Sequence, residues 1–204
     1  MSPKKIQAFF DGHAENWDTM FAPELVGRAA AIIDELAIPP GSRVLDVGAG
    51  TGVLFEPLLR SVGDAGWILA VDVSPGMLRQ ASAKTPGLPI ALLEADAVHL
   101  PVAPAEFDWI VCYSVFPHFL DQQRALVELA RALRPGGRLV VCHSRSREDI
   151  NEHHRSVGDV VGGHVLPDED GMRALVAAAG LTLIRLDAQP ERYVMTAEKP
   201  ATTA

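Results

Sequence analysis

Cysteine is scarce in this chain of 204 residues, which contains only Cys112 and Cys142. Two cysteines cannot form the set of bridges that holds a disulfide-rich secreted domain together. Both lie inside apolar stretches typical of central strands, so we expect reduced thiols packed in the core, neither joined in a disulfide nor acting as covalent catalysts. Reduced thiols also agree with a cytoplasmic location.

Long apolar runs and blocks of basic residues are absent as well. No stretch approaches the roughly 18 apolar residues that a membrane-spanning helix requires, and no apolar segment follows the N-terminal Met-Ser-Pro-Lys-Lys as in a leader peptide. The formal net charge is -8, which argues against electrostatic capture of nucleic acid. We therefore expect a cytoplasmic soluble protein, monomeric or homodimeric, whose partner is a small molecule and neither a membrane nor a nucleic acid.

Apolar runs alternate with helical patterns along most of the chain. The predicted strands are residues 43–47, 67–73, 89–94, 107–114, 138–143, 181–186 and 192–198. Helical spacing of apolar residues predicts helices over residues 23–36, 53–61, 74–83, 122–133 and 168–179. This order predicts an α/β fold: a doubly wound, Rossmann-like, seven-stranded and mostly parallel sheet with helices on both faces and an antiparallel C-terminal strand.

The pattern also divides the chain into segments. Residues 1–40 form a lid and a helix, because their few aromatic residues cannot make a core and are expected to fold onto the rest. Residues 41–199 form the main domain, interrupted by a polar, histidine-bearing insertion at 145–166. Residues 200–204 are expected to be a frayed tail.

The first predicted strand leads into a glycine-rich turn, in which Gly48, Gly50 and Gly52 occupy alternate positions after Asp46. Such a turn brings bare backbone close to a ligand, where a side chain would collide. In the dinucleotide-binding pattern G-x-G-x-x-G, the third glycine would stand where this chain has Val53. A pyrophosphate cradle, and with it an NAD-dependent oxidoreductase, is therefore the weaker interpretation.

Polar residues stand where the other predicted strands end. Asp72 ends the second strand, Asp96 follows the third, Ser114 and His118 follow the fourth, and His143 ends the fifth. In a doubly wound sheet the ligand crevice lies outside the carboxyl ends of the strands, where the strand order reverses. A carboxylate after the second strand can accept hydrogen bonds from both hydroxyls of a ribose. We expect these side chains to face one crevice.

These motifs resemble the class I S-adenosylmethionine-dependent methyltransferases and are similar to the type 11 branch that includes the ubiquinone- and menaquinone-biosynthesis enzymes. The matching segments, in the family's order and spacing, are residues 44–52, 71–77, 94–97, 107–111 and 133–139. Residues 9–18 also resemble the lid that the family lays over its cofactor.

The resemblance implies S-adenosyl-L-methionine as the cofactor. It also implies a set of cofactor-binding residues, namely Asp46, Gly48, Ala49, Gly50, Thr51, Gly52, Asp72, Val73, Met77, Asp96, Ala97 and Ser114. Three carboxylates in one pocket suit a ligand that has a positive sulfonium and no phosphate. Taken singly, each of these residues could instead be a turn or packing residue.

The acceptor side of the crevice is less well defined by the sequence. We expect His118 and His143 to be catalytic, one of them deprotonating the acceptor, because the pKa of histidine lies near neutrality. The pocket for the substrate, or for a divalent metal, is predicted from Phe9, Trp17, His118, His143 and His154. Since the insertion also contains His153 and His164, a bound metal or a metalloid substrate stays an alternative, as do solvated histidines or a His118 that packs under the lid.

The predicted function is methyl transfer to a small-molecule acceptor by in-line displacement, for which the protein supplies alignment and desolvation. The alternative is a non-catalytic module on the same scaffold, either a cofactor sensor or a metal-binding protein. An aromatic lid together with histidines at the acceptor side favours the enzyme. The sequence does not specify whether oxygen, nitrogen, carbon, sulfur or a metalloid receives the methyl group.

Overall fold

The structure is a computed structural model that describes residues 2–20, 22–158 and 160–201. The strands in those ranges are β1 (Arg43–Val47), β2 (Trp67–Asp72), β3 (Ile90–Glu94), β4 (Phe107–Tyr113), β5 (Leu133–His143), β6 (Thr182–Gln189) and β7 (Arg192–Glu198). The helices are α1 (Pro3–His13), α2 (Pro23–Glu35), α3 (Phe55–Val62), α4 (Pro75–Ser82), α5 (Gln122–Ala132), α6 (Arg147–Val157) and α7 (Glu169–Ala178), with short 3-10 helices at Ala14–Met20 and Phe116–His118. Of the predicted frayed tail, residues 202–204 lie outside the described residues.

These strands form one sheet in the order β3-β2-β1-β4-β5-β7-β6. β1 pairs in parallel with both β2 and β4, whereas β7 runs antiparallel to its two neighbours, β5 and β6. The strand order reverses between β1 and β4, the position at which doubly wound sheets bind their ligands. The predicted fold is confirmed, including its antiparallel C-terminal strand.

The central strands are buried on both faces because helices cover both sides of the sheet. Val44 and Leu45 of β1, like Ile110 and Val111 of β4, are 0% exposed. Leu45 packs with residues of α5 and α7 in one apolar cluster, and Val44 packs with α2 and α3 in another. The continuous apolar runs that predicted these strands are what a strand covered on both faces requires.

Polar side chains fix where several helices begin. Ser74 precedes α4, and its hydroxyl accepts a hydrogen bond from the amide of Met77 at 3.0 Å. Asp121, Ser146 and Asp168 accept amide hydrogen bonds in the same way at the starts of α5, α6 and α7. Each bond satisfies an amide that the first turn of a helix leaves without a partner. Ser74 is therefore the N-cap of α4, where the predicted helix over residues 74–83 begins.

Two predicted strand boundaries are wrong. β5 begins at Leu133 instead of Arg138, because residues 134–137 form a bulge in its pairing with β4. Gly136 has a φ of +76° within that bulge, a conformation that glycine adopts without a steric cost. β6 continues to Gln189, beyond its predicted end at residue 186, because its pairing with the antiparallel β7 extends along the hairpin.

The two cysteines are buried in β4 and β5. Cys112 and Cys142 are 0% exposed and are free thiols, as predicted. Burial raises the pKa of both thiols, so neither is a nucleophile at neutral pH. Among the helices of the described residues, none is both long enough and apolar enough to cross a membrane.

Candidate active site

The loop after β1 requires glycine for two different contacts. Gly48 has a φ of +68°, and a Cβ placed there would lie 2.3 Å from a methyl carbon of Val115. Gly52 has a φ of +88°, and its Cβ would lie 2.4 Å from the ring of Phe55. Any side chain at either position would therefore combine backbone strain with overlap. Packing therefore holds the loop in one conformation. The loop follows β1, beside the point between β1 and β4 where the strand order reverses.

Asp72, the last residue of β2, bridges that loop to the start of α4. One carboxylate oxygen accepts a hydrogen bond from the amide of Gly50 at 2.8 Å, and the other accepts one from the amide of Ser74 at 2.9 Å. Burial raises the pKa of Asp72, and the two amides act in the opposite direction. The carboxylate thus keeps a fixed position between the glycine loop and the cavity.

Asp46 lies beneath the glycine loop and is 1% exposed. Its Oδ2 atom is buried and has no hydrogen-bond partner among the described residues. Burial, together with the nearby charge of Asp72, raises the pKa of Asp46 to about 7. A buried carboxyl oxygen without a partner is unusual in a folded protein and points to a function for this position.

A cavity of about 460 Å³ lies at the carboxyl ends of the strands. Among the described residues, all those predicted to bind the cofactor line this cavity except Asp46. Its volume is within the roughly 300–1,000 Å³ of pockets that enclose a small ligand. Acidic side chains in the lining outnumber basic ones: Asp18, Glu56, Asp72, Asp96 and Asp121 stand against Lys84 and Arg124. Such walls favour a cationic ligand over a phosphate.

The N-terminal segment covers the cavity as a lid that is attached at two points. At the first, Asp11 of α1 accepts hydrogen bonds from the Ser74 hydroxyl at 2.6 Å and from the Gly76 amide at 2.8 Å. A Cβ on Gly76 would lie 2.7 Å from the same Asp11 oxygen, so the contact depends on this glycine. At the second, the carboxylate of Asp18 bonds to the Thr51 hydroxyl and, at 2.6 Å, to the ammonium of Lys84.

The lid places Phe10 and Trp17 in the lining of the cavity. Their rings are arranged edge to face, with centroids 5.6 Å apart. The prediction for Trp17 agrees with this placement, whereas Phe9, which was predicted to lie in the substrate pocket, is not part of the described lining. Adjacent residues of a helix point in different directions, and Ile6 and Phe10, four apart, share the inward face. That spacing was the sequence signal that distinguishes Phe10 from Phe9.

Of the histidines predicted at the acceptor side, His118 alone among the described residues lines the cavity. Its ring and that of Phe10 are arranged edge to face, with their centroids 5.2 Å apart. Its Nδ1 atom lies 2.8 Å from Nδ1 of His164. Burial lowers the pKa of His118 well below its ordinary value, and the neighbouring His154, His164 and His143 lower it further. The His118 ring is therefore neutral near pH 7.

His143 and His154 lie behind His118. His143 is 4% exposed, its Nε2 atom has no partner among the described residues, and burial lowers its pKa to about 3. Nδ1 of His154 donates to the carbonyl of His164 at 2.8 Å, so this nitrogen is not a metal ligand. Within the part of the chain that the structure describes, no group of three histidine, cysteine or acidic side chains is arranged to hold a metal ion.

Sequence comparison connects this geometry to known proteins. Residues 45–141 match the family described as Methyltransferase domain. The demethylmenaquinone methyltransferase of Mycolicibacterium paratuberculosis is 36% identical over 145 residues, which cover 69% of this chain and 60% of that protein. The chain therefore spans about three fifths of the length of the demethylmenaquinone methyltransferases that it matches.

Solved structures share the fold. A SAM-dependent methyltransferase from Aquifex aeolicus superimposes with a TM-score of 0.75 at 21% identity, covering 91% of this chain and 98% of that one. The [4+2]-cyclase SpnF superimposes with a TM-score of 0.66, also at 21% identity, covering 84% and 82% of the two chains. At these identities the likeness is one of fold alone.

The family match over residues 45–141, together with the sheet order, identifies a class I, Rossmann-like methyltransferase domain. Residues 45–141 belong to the type 11 branch of the S-adenosylmethionine-dependent methyltransferases. The chain's own residues fit the cofactor of that family. The cavity is predominantly acidic, Asp46 has a buried oxygen without a partner, and glycine stands where a side chain would fill the loop.

Proposed function

We propose that this protein transfers a methyl group from S-adenosylmethionine to a small acceptor that binds beneath the lid. The observation that supports the proposal most strongly is that one cavity has two chemically different ends. The ends of β1, β2 and β3 and the loops after them contribute Asp72 and Asp96, which we call its acidic end, and the lid with the segment after β4 contributes Ile6, Phe10, Trp17, His118 and Phe119, which we call its apolar end. A two-ended cavity suits a charged donor that must meet a less polar acceptor while water is excluded.

The acidic end would hold the cofactor. Asp72 would accept hydrogen bonds from the ribose hydroxyls, and Asp96 with Ala97 would face the adenine. The loop of residues 48–52 would enclose the amino-acid end, above the buried carboxyl of Asp46. When bound, the cofactor supplies an electrophilic methyl group on a positive sulfur, and the carboxylates of the cavity stabilise a cation of this kind.

The apolar end would hold the acceptor. Ile6, Phe10 and Trp17 of the lid and Phe119 beyond β4 line it, which suits an acceptor with an apolar or aromatic body. His118 contacts the ring of Phe10 and is neutral near pH 7, so it is available to take a proton from an acceptor O–H, N–H or S–H. We assign His118 as the general base.

The class of acceptor follows from this lining. Several curated relatives are named demethylmenaquinone methyltransferases, and an acceptor of that kind would suit such an end, so quinol-type compounds are the first candidates here. The net charge of -8 and the size of the cavity favour a small molecule over nucleic acid.

The two free buried thiols suit a reducing compartment, and we propose that the protein acts in the cytoplasm.

The test is formation of S-adenosylhomocysteine, followed by mass spectrometry, when the protein is incubated with S-adenosylmethionine and a panel of hydroquinones, phenols, thiols and amines. We expect turnover with an apolar acceptor, and a loss of at least tenfold in kcat in His118→Ala with cofactor affinity preserved. His153→Ala, on the exposed face of α6, is the matched control. Cofactor binding with no product from any acceptor class would reject catalysis.

A second candidate function is cofactor binding without methyl transfer. The observation that favours it is the fold shared with SpnF, which is described as a [4+2]-cyclase, because the same scaffold then serves a different reaction. The same incubation separates the two, since a protein of this second kind would bind S-adenosylmethionine and leave it intact.

A further inference from the structure

The insertion between β5 and α7 places His164 next to His118, the histidine that lines the cavity. Nδ1 of His118 and Nδ1 of His164 are 2.8 Å apart, within hydrogen-bond distance. Nε2 of His118 has no partner among the described residues and is not one of the buried unpaired atoms, so it is open to the cavity that the ring lines. The two nitrogens of His118 therefore face different environments.

His164 is held from behind by α6. Asn151 pairs with both backbone groups of Leu166: its Oδ1 accepts the amide at 2.8 Å, and its Nδ2 donates to the carbonyl at 3.0 Å. One helical turn along, Nδ1 of His154 donates to the carbonyl of His164 at 2.8 Å. All three polar side chains, Asn151, His154 and His164, are 8% exposed. Buried polar groups paired in this way fix a segment in a single position, and Nε2 of His164 is the one atom of these three side chains that is buried without a partner among the described residues.

A hydrogen bond between two Nδ1 atoms allows two arrangements of protons. When both rings are neutral, one ring must have its proton on Nδ1 and the other on Nε2, so the intrinsic preference for either tautomer cancels across the pair. If His164 donates, His118 has its proton on Nε2 and can only donate to a ligand. If His118 donates, its Nε2 has a free lone pair directed to the cavity.

We infer that His164 is a positioning residue that accepts the Nδ1 proton of His118, and so holds His118 in the tautomer whose Nε2 is a base toward the cavity. The inference rests on the proposed function, because only this arrangement allows His118 to take a proton from an acceptor. Neither His154 nor His143 makes a hydrogen bond to His118 among the described residues, and Nδ1 of His154 donates to the backbone carbonyl of His164 instead.

The proton transfer balances without any further group. Nε2 of His118 takes the proton of the acceptor, and the electron pair of the broken bond stays on the acceptor atom, where it would form the new bond to the methyl carbon. With the cofactor bound, the bond from that carbon to sulfur would break at the same time, and its electron pair would stay on the sulfur of S-adenosylhomocysteine. The resulting imidazolium keeps its Nδ1 hydrogen bond to neutral His164, now strengthened by charge, so no second proton has to move. Within the described residues no carboxylate bonds to His118, which leaves His164 as its hydrogen-bond partner.

The tautomers can be observed directly by long-range ¹H–¹⁵N NMR of the ¹⁵N-histidine-labelled full chain at pH 8, with His118→Ala to assign the signals. We expect His118 to have its proton on Nδ1 and His164 on Nε2. In His164→Ala, His118 should shift toward the Nε2-protonated form, and His164→Asn, whose amide oxygen can accept the same proton, should restore the wild-type form. His153→Ala should leave the His118 signals unchanged.

Two results would overturn the inference: an Nε2-protonated His118 in the wild-type protein, or a His118 tautomer that does not respond to His164→Ala. Calorimetry with S-adenosylhomocysteine on the same samples keeps the proposed function separate. We expect all variants at position 164 to bind it as the wild type does. If the wild-type protein fails to bind it, the proposed function falls while the tautomer measurement still stands.

Discussion

At the scale of single residues, the unusual groups are the buried ionisable side chains behind the cavity. Asp46 and His143 are both almost fully buried, and each has a polar atom without a partner among the described residues. Burial favours the neutral form of each, which raises the pKa of the acid and lowers that of the base. The stability of the protein without ligand should therefore depend on pH in two different ranges.

Asp46→Asn should stabilise the protein at high pH. The pKa of Asp46 is about 7 in the folded protein and near 3.8 in the unfolded chain, so Asp46 binds its proton more tightly when the protein is folded. Its favourable contribution to the free energy of unfolding is therefore complete below pH 3.8 and is lost as the pH rises toward 7. We expect Tm at pH 8 to rise by several degrees in the variant, since 1 kcal/mol is about 2–4 °C in a domain of this size. Calorimetric scans at pH 5 and pH 8 measure this. A lower Tm for the variant at pH 8 would contradict it.

His143→Leu should make the protein less sensitive to acid. The pKa of His143 is about 3 in the folded protein against 6.5 in the unfolded chain, so its contribution is present above 6.5 and lost as the pH falls toward 3. The difference in Tm between variant and wild type should thus grow in favour of the variant from pH 7 to pH 4. The exposed His153→Leu is the control, and equal acid sensitivity of wild type and His143→Leu would contradict the expectation.

At the scale of elements, Asp11 is one of the two carboxylates that attach the lid, and it lies at the start of α4. Asp11 accepts from the Ser74 hydroxyl and the Gly76 amide, and a negative charge there also interacts favourably with the N-terminal end of the helix. The lid has few other buried contacts: Ile6 and Ala14 are its buried apolar residues among those described. Its attachment is therefore polar and local.

Asp11→Ala should loosen the lid without unfolding the domain. Loss of hydrogen bonds to a charged group costs about 1.5–3 kcal/mol each, and part of this should appear as weaker ligand binding. We expect about tenfold weaker binding of S-adenosylhomocysteine, faster proteolytic cleavage within residues 3–20, and a nearly unchanged Tm. Asp64→Ala, at an exposed turn away from the cavity, is the control. Unchanged affinity together with unchanged cleavage would show that Asp11 does not hold the lid.

At the scale of the whole molecule, the sequence predicted the sheet, and it predicted that the residues at the strand ends share one cavity, for a physical reason. Glycines at fixed intervals after a buried strand, and acids at the ends of neighbouring strands, converge wherever parallel strands are adjacent, so Asp72 and Asp96 could be placed without coordinates. At the acceptor end, the direction of each side chain decides whether it reaches the cavity, and Phe9 was predicted to do so without a helix being predicted over residues 3–13. Phe10 replaces Phe9 because of the turn of α1. His143 lies behind the cavity because side chains alternate along β5.

The partnership of His118 and His164 could not be predicted from the sequence either. It joins residues 46 positions apart through a loop whose path is set by the contacts of α6. The roles of the individual cavity residues in binding and catalysis stay predictions until they are measured.

The central claim is that the acidic cavity binds a sulfonium-bearing nucleoside, and titration calorimetry tests it most directly. We predict micromolar-range binding of S-adenosylmethionine and S-adenosylhomocysteine, no binding of NAD, and at least tenfold weaker binding of both ligands to Asp72→Asn, with Asp64→Asn as the matched control. Absence of binding of both ligands at millimolar concentration, or equal affinity in wild type and Asp72→Asn, would contradict the account.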